Sequence, residues 1–178
     1  MDRIFRDHMA ELYWLAFLLT GDRERSVQAY TGALNSEAPA PALQKFVLSW
    51  ARRLVIVGAL GTIRRQLRES ELRTRPATKS ELTGLARSAS MDRADFTKQE
   101  LEAALLAMDV FVRCAVILTI FERLPVKEAA ELLGADENSV KSAQARGVTE
   151  MTWRVAGAGR PESPRFFNVG QEAMAAFG

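Results

Sequence analysis

The sequence has little of what an enzyme or a metal-binding protein needs. It contains one cysteine, Cys114, and one histidine, His8. A single cysteine cannot form an intrachain disulfide, and no local zinc site and no Ser/His/Asp or Cys/His catalytic relay can be built without His8. The sequence also lacks a glycine-rich phosphate-binding loop. We therefore expect no enzymatic activity, no bound metal and no cofactor.

A long uncharged apolar run is also missing. About 18 such residues are the shortest stretch that indicates a membrane-spanning helix, and Arg52, Arg53 and Arg113 interrupt the most apolar stretches here. The first residues, MDRIFRDHMAEL, combine acidic residues with a helical period, which is not the pattern of an export signal. These features predict a cytoplasmic protein without a membrane span.

A large net charge of one sign is absent as well. The formal net charge of +2 is too small for a nonspecific polyanion binder. Residues 1–75 carry twelve Lys and Arg against eight Asp and Glu, a net charge of +4, whereas residues 96–178 carry nine against eleven, a net charge of −2. Any contact with nucleic acid must therefore come from local clusters of basic side chains.

Hydrophobic residues make up 48% of the chain, and they recur at helical spacing over most of its length. Their pattern predicts an amphipathic helix over residues 2–20 and a second helix, capped by Asp22, that runs to about Leu34. Two prolines then break the pattern, and a third, long helix is expected to start near Ala42 and to continue through Gly58. The expected buried edge of the second helix comprises Val27, Tyr30 and Leu34.

The remaining part of the chain also predicts helices. Thr97 and Glu100 have the spacing of a capping box at a helix start, and Asp109 is placed to cap the apolar helix that follows. Residues 71–95 have few large apolar residues and read as a linker. The predicted fold is all-α, with two small helical domains joined by that linker. The predicted segments are domain 1–70, linker 71–95, a helix-turn-helix domain 96–156 and a tail 157–178.

The helix-turn-helix is predicted from the stretch LPVKEAAELLGADENSVKSAQARGVTEM. Ala130 is small enough to let two helices approach, Gly134 can adopt the left-handed turn between them, and Val140 can lock the second helix onto the first. Asp136 is placed to cap that second helix. An ordinary helical hairpin of a bundle is the alternative interpretation, because short loops with glycine also join structural helices.

Residues 99–155 as a whole resemble the C-terminal DNA-binding domain of bacterial RNA polymerase sigma factors, most closely the extracytoplasmic-function group of sigma-70-like type. The matching pieces are LEAALLAM and VFVRCAVILTIFERLPVKEAAELLGADENSVKS. The resemblance implies that the helix after Asp136 lies in the major groove of DNA, where amides read bases and cations contact phosphates or guanine. The implied DNA-binding residues are Asn138, Ser139, Lys141, Ser142, Gln144 and Arg146.

The first half carries a similar resemblance. LYWLAFLLTGDRERSVQ and SWARRLVIVGALGTIRRQL look like the sigma domain that binds core polymerase and opens the promoter, but the carboxylates that the family carries after the TGD-like turn are absent. The core-binding region is therefore interpreted as degenerate. The arginines of this half could contact nucleic-acid phosphate. The alternative interpretation is that they simply form the solvent-exposed face of a helix. The implied partner-binding residues are Val27, Gln28, Tyr30 and Thr31, and the implied DNA-binding residues are Arg52, Arg53, Arg64 and Arg65.

The function predicted from the resemblance is that of a sigma-factor-like transcription initiation protein, whose partners are RNA polymerase core and double-stranded promoter DNA. The first alternative is a degenerate sigma-like protein that binds other proteins, such as an anti-sigma factor, without recruiting polymerase. The second alternative is a transcription regulator that binds DNA as a dimer without polymerase.

Overall fold

The computed structural model describes residues 2–39, 41, 46–74 and 97–155, and these residues form helices joined by turns, with no strand among them. The all-α class is therefore confirmed. Within the same residues, no helix is both long enough and apolar enough to cross a membrane. The first half contains α1 (Asp2–Asp7), α2 (Met9–Thr20), α3 (Arg23–Leu34), α4 (Val47–Thr62) and α5 (Arg64–Thr74). The second half contains α6 (Lys98–Leu106), α7 (Val110–Val116), a π-helical segment (Ile117–Phe121), α8 (Val126–Leu133) and α9 (Glu137–Val155).

In the first half, α2, α3 and α4 pack against one another. Asp22 caps α3 as predicted, because its side chain accepts a hydrogen bond from the amide of Arg25 at 2.9 Å. Helices α3 and α4 meet through small residues: a Cβ placed on Gly58 would lie 3.2 Å from the carbonyl oxygen of Ala29. The buried residues of α3 are Ser26, Ala29 and Ala33.

This close packing leaves Val27 on the outside of α3. Its exposed fraction is 50%, so the prediction that Val27 belongs to the buried edge is wrong. Tyr30 and Leu34 are partly buried and pack against the core, as expected. Because small side chains form the α3–α4 contact, the larger Val27 is left in solvent.

The predicted long third helix is in fact two helices. The chain leaves helical geometry at Ile63, where φ is −112° and ψ is 11°, and not at the glycines in the middle of the segment. The start predicted near Ala42 lies outside the described residues. Helix α5 continues to Thr74, into the segment predicted as a linker, and the rest of that linker and the tail 157–178 also lie outside the described residues.

The second half is built around α7. The capping box that starts α6 is confirmed, since the amide of Glu100 donates to Thr97 Oγ1 at 3.2 Å and the amide of Thr97 donates to Glu100 Oε2 at 3.0 Å. Asp109 caps α7 by accepting from the amide of Phe111 at 3.3 Å. Residues 111–118 are all buried, and α9 lies along α7. The backbone of α9 comes closest to α7 at Gly147, where a Cβ would lie only 2.3 Å from Val116 Cγ2.

The two halves pack on each other. Their buried apolar residues belong to one hydrophobic cluster, to which Leu19 and Leu67 contribute from the first half and Phe111 from the second. The amide of Phe111 donates a 2.8 Å hydrogen bond to Ser70 Oγ, and Trp14 Nε1 donates to a carboxylate oxygen of α6 at 3.0 Å. This packing places α4 beside α8, the first helix of the helix-turn-helix. The division of the chain into two domains stays a prediction.

Candidate nucleic-acid interface

The turn between α8 and α9 is made at Gly134, as predicted. Gly134 has φ of 67° and ψ of 34°, a left-handed conformation that glycine adopts without the penalty of a Cβ. The amide of Ala135 donates to the carbonyl of Ala130 at 3.1 Å, and the amide of Gly134 donates to the carbonyl of Glu131 at 3.3 Å. These bonds satisfy two of the last four carbonyls of α8, and α9 begins three residues after α8 ends.

The start of α9 is held by Asp136. Its Oδ1 accepts from the amide of Ser139 at 2.9 Å, and its Oδ2 accepts from Ser139 Oγ at 2.7 Å. Ser139 is only 7% exposed, so its hydroxyl is engaged at the cap and not offered to solvent. A contact between Ser139 and a DNA phosphate would require this bond to break. In this geometry the serine holds the first turn of α9.

The inner face of α9 locks the two helices together. Val140 and Ala143 are fully buried, α8 and α9 are in contact, and the buried residues of α8 are Ala129, Ala130 and Leu133. The predicted arrangement of a small residue, a glycine turn and a branched residue is therefore confirmed. Burial of this face fixes which side of α9 remains outside.

The outer face of α9 carries five of the predicted DNA-binding side chains, and we call these five residues the recognition face. Asn138, Lys141 and Arg146 are exposed, while Ser142 and Gln144 are half-buried. Lys141 Nζ lies 3.7 Å from a carboxylate oxygen of Glu137 one turn earlier, a pairing of two exposed side chains that contributes little to stability. The recognition face is Asn138, Lys141, Ser142, Gln144 and Arg146.

The predicted DNA-binding arginines of α4 face the second half of the chain. Arg52 donates to Glu122 through both Nε, at 2.9 Å, and Nη2, at 2.5 Å, and its Nη1 lies 3.5 Å from Glu11 Oε1. The hydrogen bond to Glu122 is the main cause that raises the pKa of Arg52 above its usual value. Arg53 pairs with Glu128 of α8. The structure therefore brings these two arginines to carboxylates and not to the recognition face.

The arginines at the start of α5 are arranged differently. Arg64 and Arg65 are both exposed, and Arg65 Nε donates to Glu69 Oε1 at 3.0 Å within the same helix. Neither side chain contacts the second half through an ion pair among the described residues. Arg64 and Arg65 therefore lie away from the second half, whereas Arg53 is exposed but paired with Glu128.

The predicted partner-binding stretch of α3 is partly exposed. Val27, Gln28 and Thr31 are in solvent, and Thr31 Oγ1 donates to the carbonyl of Val27 at 2.8 Å. Tyr30 is held inward: its hydroxyl donates to the carbonyl of Phe5 at 2.9 Å, and its ring meets the Phe5 ring edge-on at 5.9 Å. Burial raises the pKa of Tyr30. The exposed part of this surface is therefore uncharged.

Three charged residues at the contact between the two halves were not singled out from the sequence. Glu122 and Glu128 pair with arginines that lie 70 and 75 positions away, and no local pattern signals such pairs. Arg113 is only 4% exposed and donates weakly to the carbonyls of Leu19 and Leu106, both at 3.4 Å. In the sequence, the only indication of a special role for Arg113 was that it is the one charged residue in the apolar stretch VFVRCAVILTIF.

One known protein family matches the second half of the chain. Residues 98–151 match the family model described as sigma-70, region 4, and the match runs from the start of α6 into α9. No curated protein and no solved structure gives a significant match to the chain. The matched residues include the whole helix-turn-helix whose geometry is described above. Residues 98–151 therefore form a sigma-70 region 4 helix-turn-helix domain.

Proposed function

We propose that this protein is a sigma-factor-like transcription initiation protein that binds promoter DNA through α9 and directs RNA polymerase core to it. A region 4 domain implies promoter-DNA binding. The observation that best supports the proposal is the orientation of α9, whose inner face is buried on α7 and α8 while Asn138, Lys141 and Arg146 of the recognition face are exposed. A cytoplasmic location follows from the proposed partners.

The recognition face has the chemistry for a major-groove contact. Asn138 and Gln144 carry amides that can pair with adenine edges, and Lys141 and Arg146 carry cations for phosphate or guanine. Two cations are few for a DNA-reading helix, and Glu137 lies beside Lys141. We therefore expect modest affinity, with a logarithmic salt dependence of about −2 if two phosphates are neutralised.

The surface proposed for polymerase is the exposed side of α3. Val27, Gln28 and Thr31 present an uncharged patch there, so contact with polymerase would depend on burial of apolar area and on hydrogen bonds rather than on ion pairs. The proposal therefore predicts complex formation that changes little with salt.

The same surface supports the alternative, a degenerate sigma-like module that binds another protein, such as an anti-sigma factor, without recruiting polymerase. Val27 is half exposed and apolar, which suits a protein partner. Arg52 is paired with Glu122, whose side chain is only 8% exposed, and Arg53 is paired with Glu128.

Co-purification with the cognate core polymerase separates these functions. Under the main proposal, wild-type protein co-elutes with core polymerase in gel filtration, and Val27→Asp abolishes the complex. Val57→Asp is a matched control, because Val57 is 51% exposed but lies on α4. Failure of the wild-type protein to co-elute with core polymerase would favour the alternative.

A gel shift at two salt concentrations tests the DNA-binding part independently. The probe is a duplex selected from a random library by the full chain. Weaker binding at higher salt, with the slope stated above, supports contact with phosphates. If no duplex is enriched during selection, the promoter-binding proposal fails, whatever the result with polymerase.

A further inference from the structure

A groove of about 610 Å³ lies where α4 packs beside α8. Trp50 of α4 lines it from the first half of the chain, and Leu124 and Leu132 line it from the second half. Two more lining side chains, Phe46 and Phe121, are aromatic and remain 49% and 39% exposed. The volume is within the range of about 300–1,000 Å³ that is usual for binding pockets. We call this feature the α4–α8 groove.

The chemistry of the α4–α8 groove favours an apolar occupant with little charge. The two arginines of its lining already have partners, because Arg52 donates to both oxygens of Glu122 and Arg53 pairs with Glu128. An added charged group would therefore be desolvated there without gaining a new partner. Exposed aromatic side chains around one groove form a surface that an apolar or aromatic segment can cover.

The sequence beyond α9 supplies such a segment. Residues 156–165, AGAGRPESPR, contain no apolar side chain larger than proline, and they are followed directly by Phe166 and Phe167. From Phe166 to Gly178 the only charged side chain is that of Glu172. All of these residues lie outside the part of the chain that the structure describes. Their composition matches what the groove favours, which is aromatic side chains with little charge nearby.

The segment is tethered close enough to reach the groove. Arg154 Nη2, near the end of α9, donates to the carbonyl of Ala107 at 3.4 Å, so the chain leaves α9 beside the start of α7. The groove lies at the opposite end of the same helical stretch, at Phe121. The seven residues of α7 and the five of the π-helical segment span about 18 Å at the usual helical rise. Because ten extended residues span up to about 33–36 Å, residues 156–165 can bridge this distance.

We propose that the α4–α8 groove binds the C-terminal segment of the same chain, with Phe166 and Phe167 seated against the exposed rings of Phe46 and Phe121. Phe177 is the other aromatic residue of the segment, but its tether from α9 is longer. A longer tether lowers the effective concentration of the group that it carries, so the Phe166–Phe167 pair is the anchor. The inference is independent of the proposed function, because neither DNA nor polymerase takes part in it.

Disulfide trapping in the full chain tests the proposal. Ser49→Cys places a thiol at an exposed position in the lining of the groove, and Asn168→Cys places one directly after the two phenylalanines; we call this variant the groove pair. The native Cys114 is fully buried, so it does not compete under mild oxidation. In dilute protein we expect the intrachain disulfide of the groove pair to form at least about 10-fold faster than that of a control pair, Glu24→Cys/Asn168→Cys.

The control pair is matched for reach. Glu24 is exposed in the first turn of α3, and its neighbour Arg25 donates to Gln66 Oε1 of α5 at 2.6 Å. Helix α5 also contacts α9, from which the segment departs. The same tether can therefore bring residue 168 to Glu24, so a difference between the two rates reports a preference of the segment for the groove.

Two substitutions identify the anchor. Adding Phe166→Ser/Phe167→Ser to the groove pair should lower its rate to that of the control pair, whereas adding Phe177→Ser should leave the rate unchanged. Nuclear magnetic resonance gives a second readout without engineered thiols: Phe166→Ser/Phe167→Ser should shift the indole N–H signal of Trp50, and Phe177→Ser should not. Circular dichroism confirms that each variant retains its helices.

Three results would overturn the proposal. Equal rates in the groove pair and the control pair would show that the segment has no preference for the groove. A disulfide that joins two chains would show that a second copy, and not the segment of the same chain, occupies the groove. Fast trapping that persists without Phe166 and Phe167, or a Trp50 signal that does not respond to their loss, would show that these two side chains are not the anchor.

Discussion

Substitution of Gly147 by alanine should weaken the packing that positions the recognition face. A Cβ at this position would lie 2.3 Å from Val116 Cγ2 and 3.0 Å from Val112 Cγ1. Both valines are fully buried, and a β-branched side chain in a helix has essentially one χ1 rotamer, so neither methyl group can turn away. We therefore expect α9 to shift away from α7.

The expected magnitude follows from two opposing effects. Overpacking of a close-packed core by one methyl group costs about 1–3 kcal/mol, and replacement of glycine by alanine within a helix returns up to about 1 kcal/mol. Because the clash is severe and the neighbours are stiff, we expect Gly147→Ala to lose about 1–2 kcal/mol of stability. Gly32→Ala is the control: nothing lies within 4 Å of its Cβ, so only the gain of up to about 1 kcal/mol applies.

Urea unfolding followed by circular dichroism at 222 nm, the usual helix band, measures both effects. We expect the midpoint to fall for Gly147→Ala and to rise for Gly32→Ala, with similar m-values. Equal or greater stability of Gly147→Ala relative to the wild type would show that α9 does not lie against α7 as described.

Three other changes follow from the same geometry. Arg146→Ala should weaken binding to the selected duplex by about 5-fold or more and leave the fold intact, because the side chain is exposed; an unchanged affinity in a salt-controlled titration would refute this assignment. Asp136→Ala should lower the free energy of unfolding by about 0.5–2 kcal/mol through loss of the α9 cap, and it should also weaken DNA binding. The control, Asp22→Ala, should remove the α3 cap without affecting DNA binding. Equal effects of the two substitutions on DNA binding would contradict this prediction. Burial raises the pKa of Cys114 to about 12, so the folded protein should resist iodoacetamide at about pH 8 while the urea-unfolded chain reacts. Rapid labelling of the folded protein would contradict the burial of this thiol. In the unfolded chain the thiol has a pKa of about 8.5 and ionises at moderately alkaline pH, whereas in the folded protein it does not. The stability of the folded protein should therefore fall as the pH rises from about 8.5 towards 12.

The helix predicted over residues 2–20 is in fact two helices, α1 and α2, divided at His8. Most caps and turns, however, were predicted correctly. Caps and turns are decided within a few residues, so Asp22, Asp109 and the Thr97 capping box all appear as expected. The same reason applies to the turn at Gly134, whose left-handed backbone conformation was anticipated from its position after an apolar helix.

Features that depend on packing between distant segments were not predicted. The long helix was expected to continue through Gly58, but nothing in the sequence indicated that the missing side chain there allows the backbone of Ala29 to approach. That approach is why Val27 is exposed on the opposite side of α3. The break at Ile63 follows Gly61 by two residues, but no proline lies there to end the helix.

In the candidate site, too, local features were predicted correctly and contacts between distant segments were not. Helical register alone placed Asn138, Lys141 and Arg146 outside and Val140 inside. It did not reveal that the Ser139 hydroxyl binds Asp136, since Ser139 stands next to exposed positions on the helix. Nor did it reveal that Arg52 is occupied by Glu122, because that contact exists only after the halves pack.

The most direct test of the proposed function is a nuclear magnetic resonance titration of the labelled full chain with the selected duplex. We expect saturable amide shifts to concentrate between Glu137 and Arg146 in α9, with smaller changes at the start of α8. Shifts confined to the first half of the chain, or an α9 whose resonances do not respond to DNA, would contradict the claim that this helix reads the promoter.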